Sequence, residues 1–172
     1  MRRRTEKTCV QIDELERLAS VKESENYRFR TYLKIHAQEE ELDRQFWRLH
    51  EKYFKIYDCS KCRNCCKKLG ISMNESELNK ICEHLHLDKK KFIEDHLNEK
   101  YGKYSFKGTR CQFLCDDNRC QISDCLPESC KEFPYTNKPE RLFSLLNIVA
   151  NVKACPVVYE ILEELKKEYR FK

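Results

Sequence analysis

Four cysteines fall within eight residues, Cys59, Cys62, Cys65 and Cys66, in the pattern C-x2-C-x2-C-C. Thiolates three residues apart on a loop can converge on one metal without a large fold being built first. Adjacent thiols such as Cys65 and Cys66 rarely pair with each other because of the strain, so the pair points to two sites or to two atoms of one cluster. A second, less regular set follows at Cys111, Cys115, Cys120, Cys125, Cys130 and Cys155, while Cys9 and Cys82 stand alone in helical sequence and read as ordinary thiols. Twelve cysteines in 172 residues is several times ordinary usage.

The compartment decides whether such thiols are staples or ligands. The chain opens Met1-Arg2-Arg3-Arg4, but the residues from Thr5 to Arg17 are polar and lack the apolar run of a signal peptide. No segment approaches the roughly 20 apolar residues of a membrane span. The expected setting is therefore cytoplasmic, where thiols stay reduced and dense cysteines bind metal or catalyse.

Other chemistries are poorly supplied. The three glycines, Gly70, Gly102 and Gly108, lack the spacing of a phosphate-cradling or dinucleotide loop. A net charge of +5 is modest in a chain that is 37% charged, and nucleic acid is not an expected partner. The bases around the first cysteine block (Lys61, Arg63, Lys67, Lys68) have a plainer use, since positive charge stabilises thiolates. None of the five histidines (His36, His50, His84, His86, His96) lies within a cysteine block, and only His84 and His86, near Cys82, form a pair worth testing as ligands.

Residues 6–57 contain neither proline nor glycine and favour helix throughout. Leu42, Phe46, Leu49, Tyr53 and Ile56 recur at steps of four and three and mark one docking face. Ile12, Leu15, Leu18 and Val21 form a narrower stripe, and the polar stretch from Lys22 to Asn26 is a candidate break. Two helices, or one long bent one, are expected here, with the acidic run Glu39 to Asp43 as a solvated face. Further on, Asn74 with Glu77 reads as a capped helix start and Asp88 as a second cap. The stretch from Tyr101 to Gly108 reads as a connector, residues 109–139 as short segments, and Arg141 to Val152 as a buried strand or short helix. Cys155-Pro156 starts a last helix, with proline at its first position.

The fold expected is thus mainly α: a long N-terminal helix or helical hairpin, residues 1–57, packed on a small cysteine-rich, metal-organised domain, residues 58–172, with short helices, irregular loops and a C-terminal helix. The helical region is the place for a protein partner, and no membrane contact is expected.

The succession of Cys59 to Cys66, Cys111-Gln112-Phe113-Leu114, Cys120-Gln121-Ile122, Cys130-x-x-Phe133-Pro134 and Cys155-Pro156 resembles the blocks of the YkgJ-type cysteine-cluster family, a zinc- or iron-chelating domain. The resemblance spans roughly residues 59–156. It implies eight metal-ligating cysteines: Cys59, Cys62, Cys65, Cys66, Cys111, Cys120, Cys130 and Cys155. Cys115 and Cys125 fall outside it. Where the family shows an aromatic followed by Arg-Pro, this chain has Ser123 and Leu126-Pro127.

Eight thiolates allow two closed zinc tetrahedra. A [4Fe-4S] cluster instead takes C-x2-C-x2-C plus one remote cysteine, commonly followed by proline, and Cys59, Cys62 and Cys65 with Cys155-Pro156 match that description. The flagellin lysine-N-methylases that share this type of domain resemble iron-sulfur proteins, which points the same way. The favoured expectation is a metal-binding protein with a [4Fe-4S] cluster in a structural or redox role, with Zn2+ as the second choice. A protein lysine N-methyltransferase and a metal-stapled interaction module are the alternatives.

Overall fold

In the computed structural model, which describes residues 10–172, the chain divides into two compact units. Cys9 and the basic opening Met1 to Arg4 lie outside the described residues. The fold is mainly α. One unit, here the helical unit, joins residues 10–58 to residues 134–172, and the other, the cysteine unit, is residues 59–133. These units cut the chain differently from a linear division at residue 58, because residues 134–172 group with the N-terminal helices.

The helical unit contains α1 (Ile12–Val21), α2 (Glu23–His36), α3 (Glu39–Phe54), α9 (Arg141–Ala150), a 3-10 turn (Asn151–Lys153) and α10 (Pro156–Glu168). Where two helices or one bent one are expected from sequence, there are three. The first break falls at Lys22, inside the polar stretch. The second falls at Ala37 and Gln38, both extended, just before three glutamates that occupy the first turn of α3 and suit its positive end. The acidic run is therefore a helix start, and Asp43 is more than a solvated group: its carboxylate accepts from the backbone N–H groups of Glu140 and Arg141, both at 2.9 Å, and so caps α9.

Leu42, Phe46, Leu49 and Tyr53 are buried as their spacing predicts, but Ile56 lies beyond the end of α3 and is 53% exposed. In α1 only Leu15 and Ala19 are buried, and Val21 is exposed. α10 packs along α3, and α9 against both α2 and α3. Pro156 sits at the first turn of α10, and that helix is buried on nearly every side, as the central element of a bundle must be. Its two buried charged groups have partners. Lys166 pairs with Glu25 at 2.6 Å and Glu163 at 2.8 Å, and Glu160 accepts from the Val10 N–H at 2.8 Å. The ambiguous apolar stretch from Arg141 is helix, with Leu145, Ile148 and Val149 buried and Phe143 outward.

The cysteine unit begins with two short helices, α4 (Cys59–Cys62) and α5 (Asn64–Lys68), followed by β1 (Ser72–Asn74), α6 (Glu75–His84) and α7 (Lys89–His96). Both sequence-read caps are present. Asn74 and Glu77 form a full capping box, worth about 1 kcal/mol, and Asp88 accepts from the Lys91 N–H.

The stretch read as a connector is instead part of a β-hairpin. β2 (Leu97–Lys100) pairs antiparallel with β3 (Lys103–Phe106), with Lys100 opposite Lys103, and β3 pairs with β1 to give the sheet order β1-β3-β2. The turn residues Tyr101 and Gly102 both have positive φ, as a two-residue type I′ turn needs. After the sheet come a bridge between Leu114 and Cys120, a 3-10 turn (Ser123–Cys125) and α8 (Glu128–Lys131). Met73, Leu78, Ile81, Phe92, Phe106, Phe113 and Ile122 are among the residues that fill this unit's core. Three of its rings pack together: Phe106 lies 5.2 Å from Phe113, and Phe92 lies 5.8 Å from Phe113.

Candidate metal centre

Cys59 and Cys62 lie on the single turn of α4, and Cys65 and Cys66 on α5. Between them Arg63 takes a left-handed conformation (φ 49°, ψ 14°), uncommon for a residue with a side chain. The kink ends one helical turn and starts another within one residue. The Arg63 N–H still bonds back to the Cys59 carbonyl at 3.2 Å, and the Lys67 N–H to the Arg63 carbonyl at 3.2 Å. The Cys65 and Cys66 sulfurs are 4.0 Å apart.

Later segments are fastened to this one or to the strand and helix that follow it. Gly70 and Gly108 approach so closely that a Cβ on Gly70 would lie 3.3 Å from the Gly108 carbonyl oxygen. Just beyond, the Cys111 N–H donates to the Cys66 carbonyl at 2.8 Å. From Cys111 the chain folds on itself: the Cys115 N–H bonds to the Arg119 carbonyl at 2.9 Å and the Gln121 N–H to the Phe113 carbonyl at 2.9 Å, which returns Cys120 alongside Leu114. α8 carries Cys130. The Glu77 carboxylate that serves the capping box also accepts from the Glu128 N–H at 2.8 Å, and the Ser129 hydroxyl donates to the Ser72 carbonyl at 2.5 Å.

Cys66, Cys111, Cys120 and Cys130 come within electrostatic reach of one another. Cys66 is held down to about 6, first by hydrogen bonding with Cys65 and then by the Arg63 guanidinium. Cys111 is pushed up to about 11 by burial and by the charges of Cys66 and Cys120, and Cys130 to about 12 by burial and by Cys111, Cys66 and Cys120. Of Cys66, Cys111 and Cys130, Cys66 thus ionises first, and burial together with its charge keeps the proton on the other two. Arg63, noted in the sequence only as one of several bases, is the base whose contact with a thiol accounts for part of this.

The metal-free protein should therefore show a stability maximum near pH 9. Below the ordinary thiol value of 9.0, Cys66 is ionised in the folded state and protonated in the unfolded one, so its contribution is lost as pH falls toward 6. Above 9.0 the unfolded chain releases the Cys111 and Cys130 protons while the folded state retains them, so stability falls toward pH 11 to 12. Urea midpoints of the chelator-treated protein from pH 6 to 11 read this directly. A profile that is flat or rises throughout contradicts the arrangement.

Among the described residues, no three His, Cys, Asp or Glu side chains are already drawn to the distances of a closed metal site. By donor chemistry the cysteine unit nonetheless fits a thiophilic metal: four thiols from separate segments, half-buried or buried, with one already ionised near neutral pH. A bound divalent ion would deprotonate the others outright.

The remaining predicted ligands are distributed as follows. Cys59 is exposed and Cys62 and Cys65 half-buried in the cysteine unit, whereas Cys155 is buried at the N-cap of α10 in the helical unit. Cys125, outside the family pattern, is packed on the same core as Cys66, Cys120 and Cys130, and the charge of Cys120 reaches it. Its position five residues after Cys120 was the available signal. Cys115 stands at the turn of the 111–120 fold.

Cys82 is buried, and burial raises its thiol. It borders a cleft of about 480 Å³ with His86, while the imidazoles of His84 and His86 are exposed. The other histidines are engaged in packing: His36 on Tyr32, His96 on Phe92, and His50 on Phe54 with Nδ1 2.8 Å from the Thr136 hydroxyl.

Compared with known families, residues 58–156 match the CxxCxxCC family, described as a "Putative zinc- or iron-chelating domain". No curated protein and no solved structure matches the chain. No described helix is long and apolar enough to cross a membrane.

Proposed function

From the premise that the chain belongs to this cysteine-cluster family of metal-chelating domains, we propose that it is a metal-thiolate protein whose resident group is a [4Fe-4S] cluster in a structural or redox role. What supports the metal-thiolate part of this reading, without choosing the metal, is that Cys66, Cys111, Cys120 and Cys130 come from separate segments of one unit, with Cys111 bonded through its N–H to the Cys66 carbonyl and the thiol of Cys66 held down to about 6. The proposed ligands are these four with Cys59, Cys62, Cys65 and Cys155. Iron-sulfur is preferred over zinc because Cys59, Cys62 and Cys65 follow C-x2-C-x2-C spacing and Cys155 precedes a proline.

When bound, such a cluster supplies a one-electron couple and a cross-link between loops that are far apart in sequence. The chain's own residues do the rest. Arg63 and the Cys65 thiol lower the cost of the first thiolate, the Asn74–Glu77 box and Glu128 hold the Cys130 helix in place, and the Phe113 core fixes the 111–120 fold. A reducing cytoplasm is the setting in which these thiols stay available.

Zinc is the second reading, with Cys66, Cys111, Cys120 and Cys130 proposed as one tetrathiolate set. A protein partner is proposed on the N-terminal helices, where Val21, Ile35 and Trp47 are exposed.

Anaerobic purification with iron, zinc and acid-labile sulfide analysis tests the assignment. The expected result is a brown protein with equal iron and sulfide. A colourless protein with one or two zinc ions overturns the cluster while keeping the thiolate site, and a protein that takes up neither metal overturns both.

A further inference from the structure

Between α9 and the loop of residues 134–138 lies a cleft of about 300 Å³, wholly within the helical unit and lined by no cysteine. Its volume is at the lower end of the range for small-molecule sites, roughly 300–1,000 Å³. Arg141, Ser144, Asn147 and Asn151 line one side at helical steps of three and four, and Pro134 and Ile148 supply apolar surface.

The unusual member is Arg141. It is 4% exposed, and its two Nη atoms donate to backbone carbonyls, of Tyr135 at 2.5 Å and of Pro139 at 2.9 Å. Its Nε is buried without a hydrogen-bond partner. The carboxylate whose charge it feels most, that of Asp43, has both oxygens taken by the backbone N–H groups of Glu140 and Arg141.

A buried guanidinium bonded to neutral carbonyls, with donor capacity left over, is a costly way to fill space, and an apolar side chain of similar size would do so more cheaply. The backbone around it is also strained, since Tyr135 (φ 61°) and Glu140 (φ 62°) are both left-handed without being glycine. Cation, carboxamides, hydroxyl and apolar floor in one cleft are the parts of a site for an anion with an apolar body.

We propose that the α9 cleft binds a small organic oxyanion, with its headgroup at the Arg141 end, the Ser144 hydroxyl and the Asn147 and Asn151 carboxamides along its flank, and its apolar part over Pro134 and Ile148. Carboxylates and phosphate monoesters share this chemistry.

Calorimetric titration of the full-length protein with phenylacetate and with phenyl phosphate tests the proposal and separates the two sources of oxyanion. Saturable one-to-one binding of at least one probe is expected. Asn147→Asp, at an exposed position that keeps side-chain size, should weaken it at least tenfold. Asn98→Asp, an equal charge change on β2 of the other unit, should leave it unchanged. Failure of both probes to bind overturns the proposal. So does equal weakening by the two variants, which would mean attraction to the general basic surface, and so does full affinity in Asn147→Asp.

Discussion

Cys111→Ser is expected to abolish metal binding at the Cys66, Cys111, Cys120 and Cys130 group and to destabilise the cysteine unit while leaving the helical unit as stable as before. Cys111 is 4% exposed, its N–H is bonded to the Cys66 carbonyl, and charge links it to Cys66, Cys120 and Cys130. A serine there keeps the size and loses the soft ligand. In small metal-organised domains the binding free energy is folding free energy, about 10–16 kcal/mol for structural zinc, so loss of one ligand removes a large share of what holds residues 59–133.

The control is the same substitution without metal, where serine for a protonated thiol should cost far less. Trp47, the chain's single tryptophan, lies on α3 of the helical unit, so its fluorescence follows that unit alone. Its transition should stay near the wild-type midpoint while metal content falls by the share bound at this group. Full metal stoichiometry in Cys111→Ser would refute the grouping. Cys82→Ser, at a buried thiol outside the group, should retain metal.

The second large effect concerns the apolar half of the same unit. Phe113→Ala should destabilise the cysteine unit by about 3–5 kcal/mol, the usual cost of emptying an aromatic site in a core. Phe113 is 2% exposed, packs its ring against Phe92 and Phe106, and lies between Cys111 and Cys115. Small domains have only about 5–15 kcal/mol in total, so the metal-free variant should be largely unfolded in residues 59–133 and refold on adding metal. Urea denaturation with and without metal, read by near-ultraviolet circular dichroism, measures both numbers. A cost under about 1 kcal/mol in the metal-free protein would mean that the three rings are not what orders the 111–120 fold.

Local signals in the sequence carried far. Asn74 with Glu77, Asp88 and Pro156 each mark helix starts because the groups that satisfy those starts lie within three residues. The Leu42 to Tyr53 stripe was legible because a helix repeats its face at fixed steps.

What escaped depends on distant partners or on weak local chemistry. β2 reads Leu-Asn-Glu-Lys, with no alternation to betray it, and its turn puts tyrosine where asparagine or aspartate is usual before glycine. Asp43 caps a helix almost a hundred residues away, which no window along the chain can reveal. The thiol group was visible only in part. The block at 59–66 announces itself by spacing, but nothing local ties Cys66 to Cys111, Cys120 and Cys130: the family resemblance alone put the four in one set, and a backbone bond ties Cys66 to Cys111.

The discontinuity of the helical unit has a consequence for the order in which the protein is made. Because residues 59–133 interrupt it, α1 to α3 leave the ribosome well before α9 and α10, the helices they pack against, have been translated. At the bacterial or eukaryotic pace of about 5–20 residues per second, that gap lasts some seconds. Throughout it the buried faces of α2 and α3 wait uncovered, and by its end the seven cysteines from Cys59 to Cys130 in the family-like blocks have all been made. The intervening unit is thus the first that can finish folding, and the one delivering its thiols to the cell while its neighbour is still half-built.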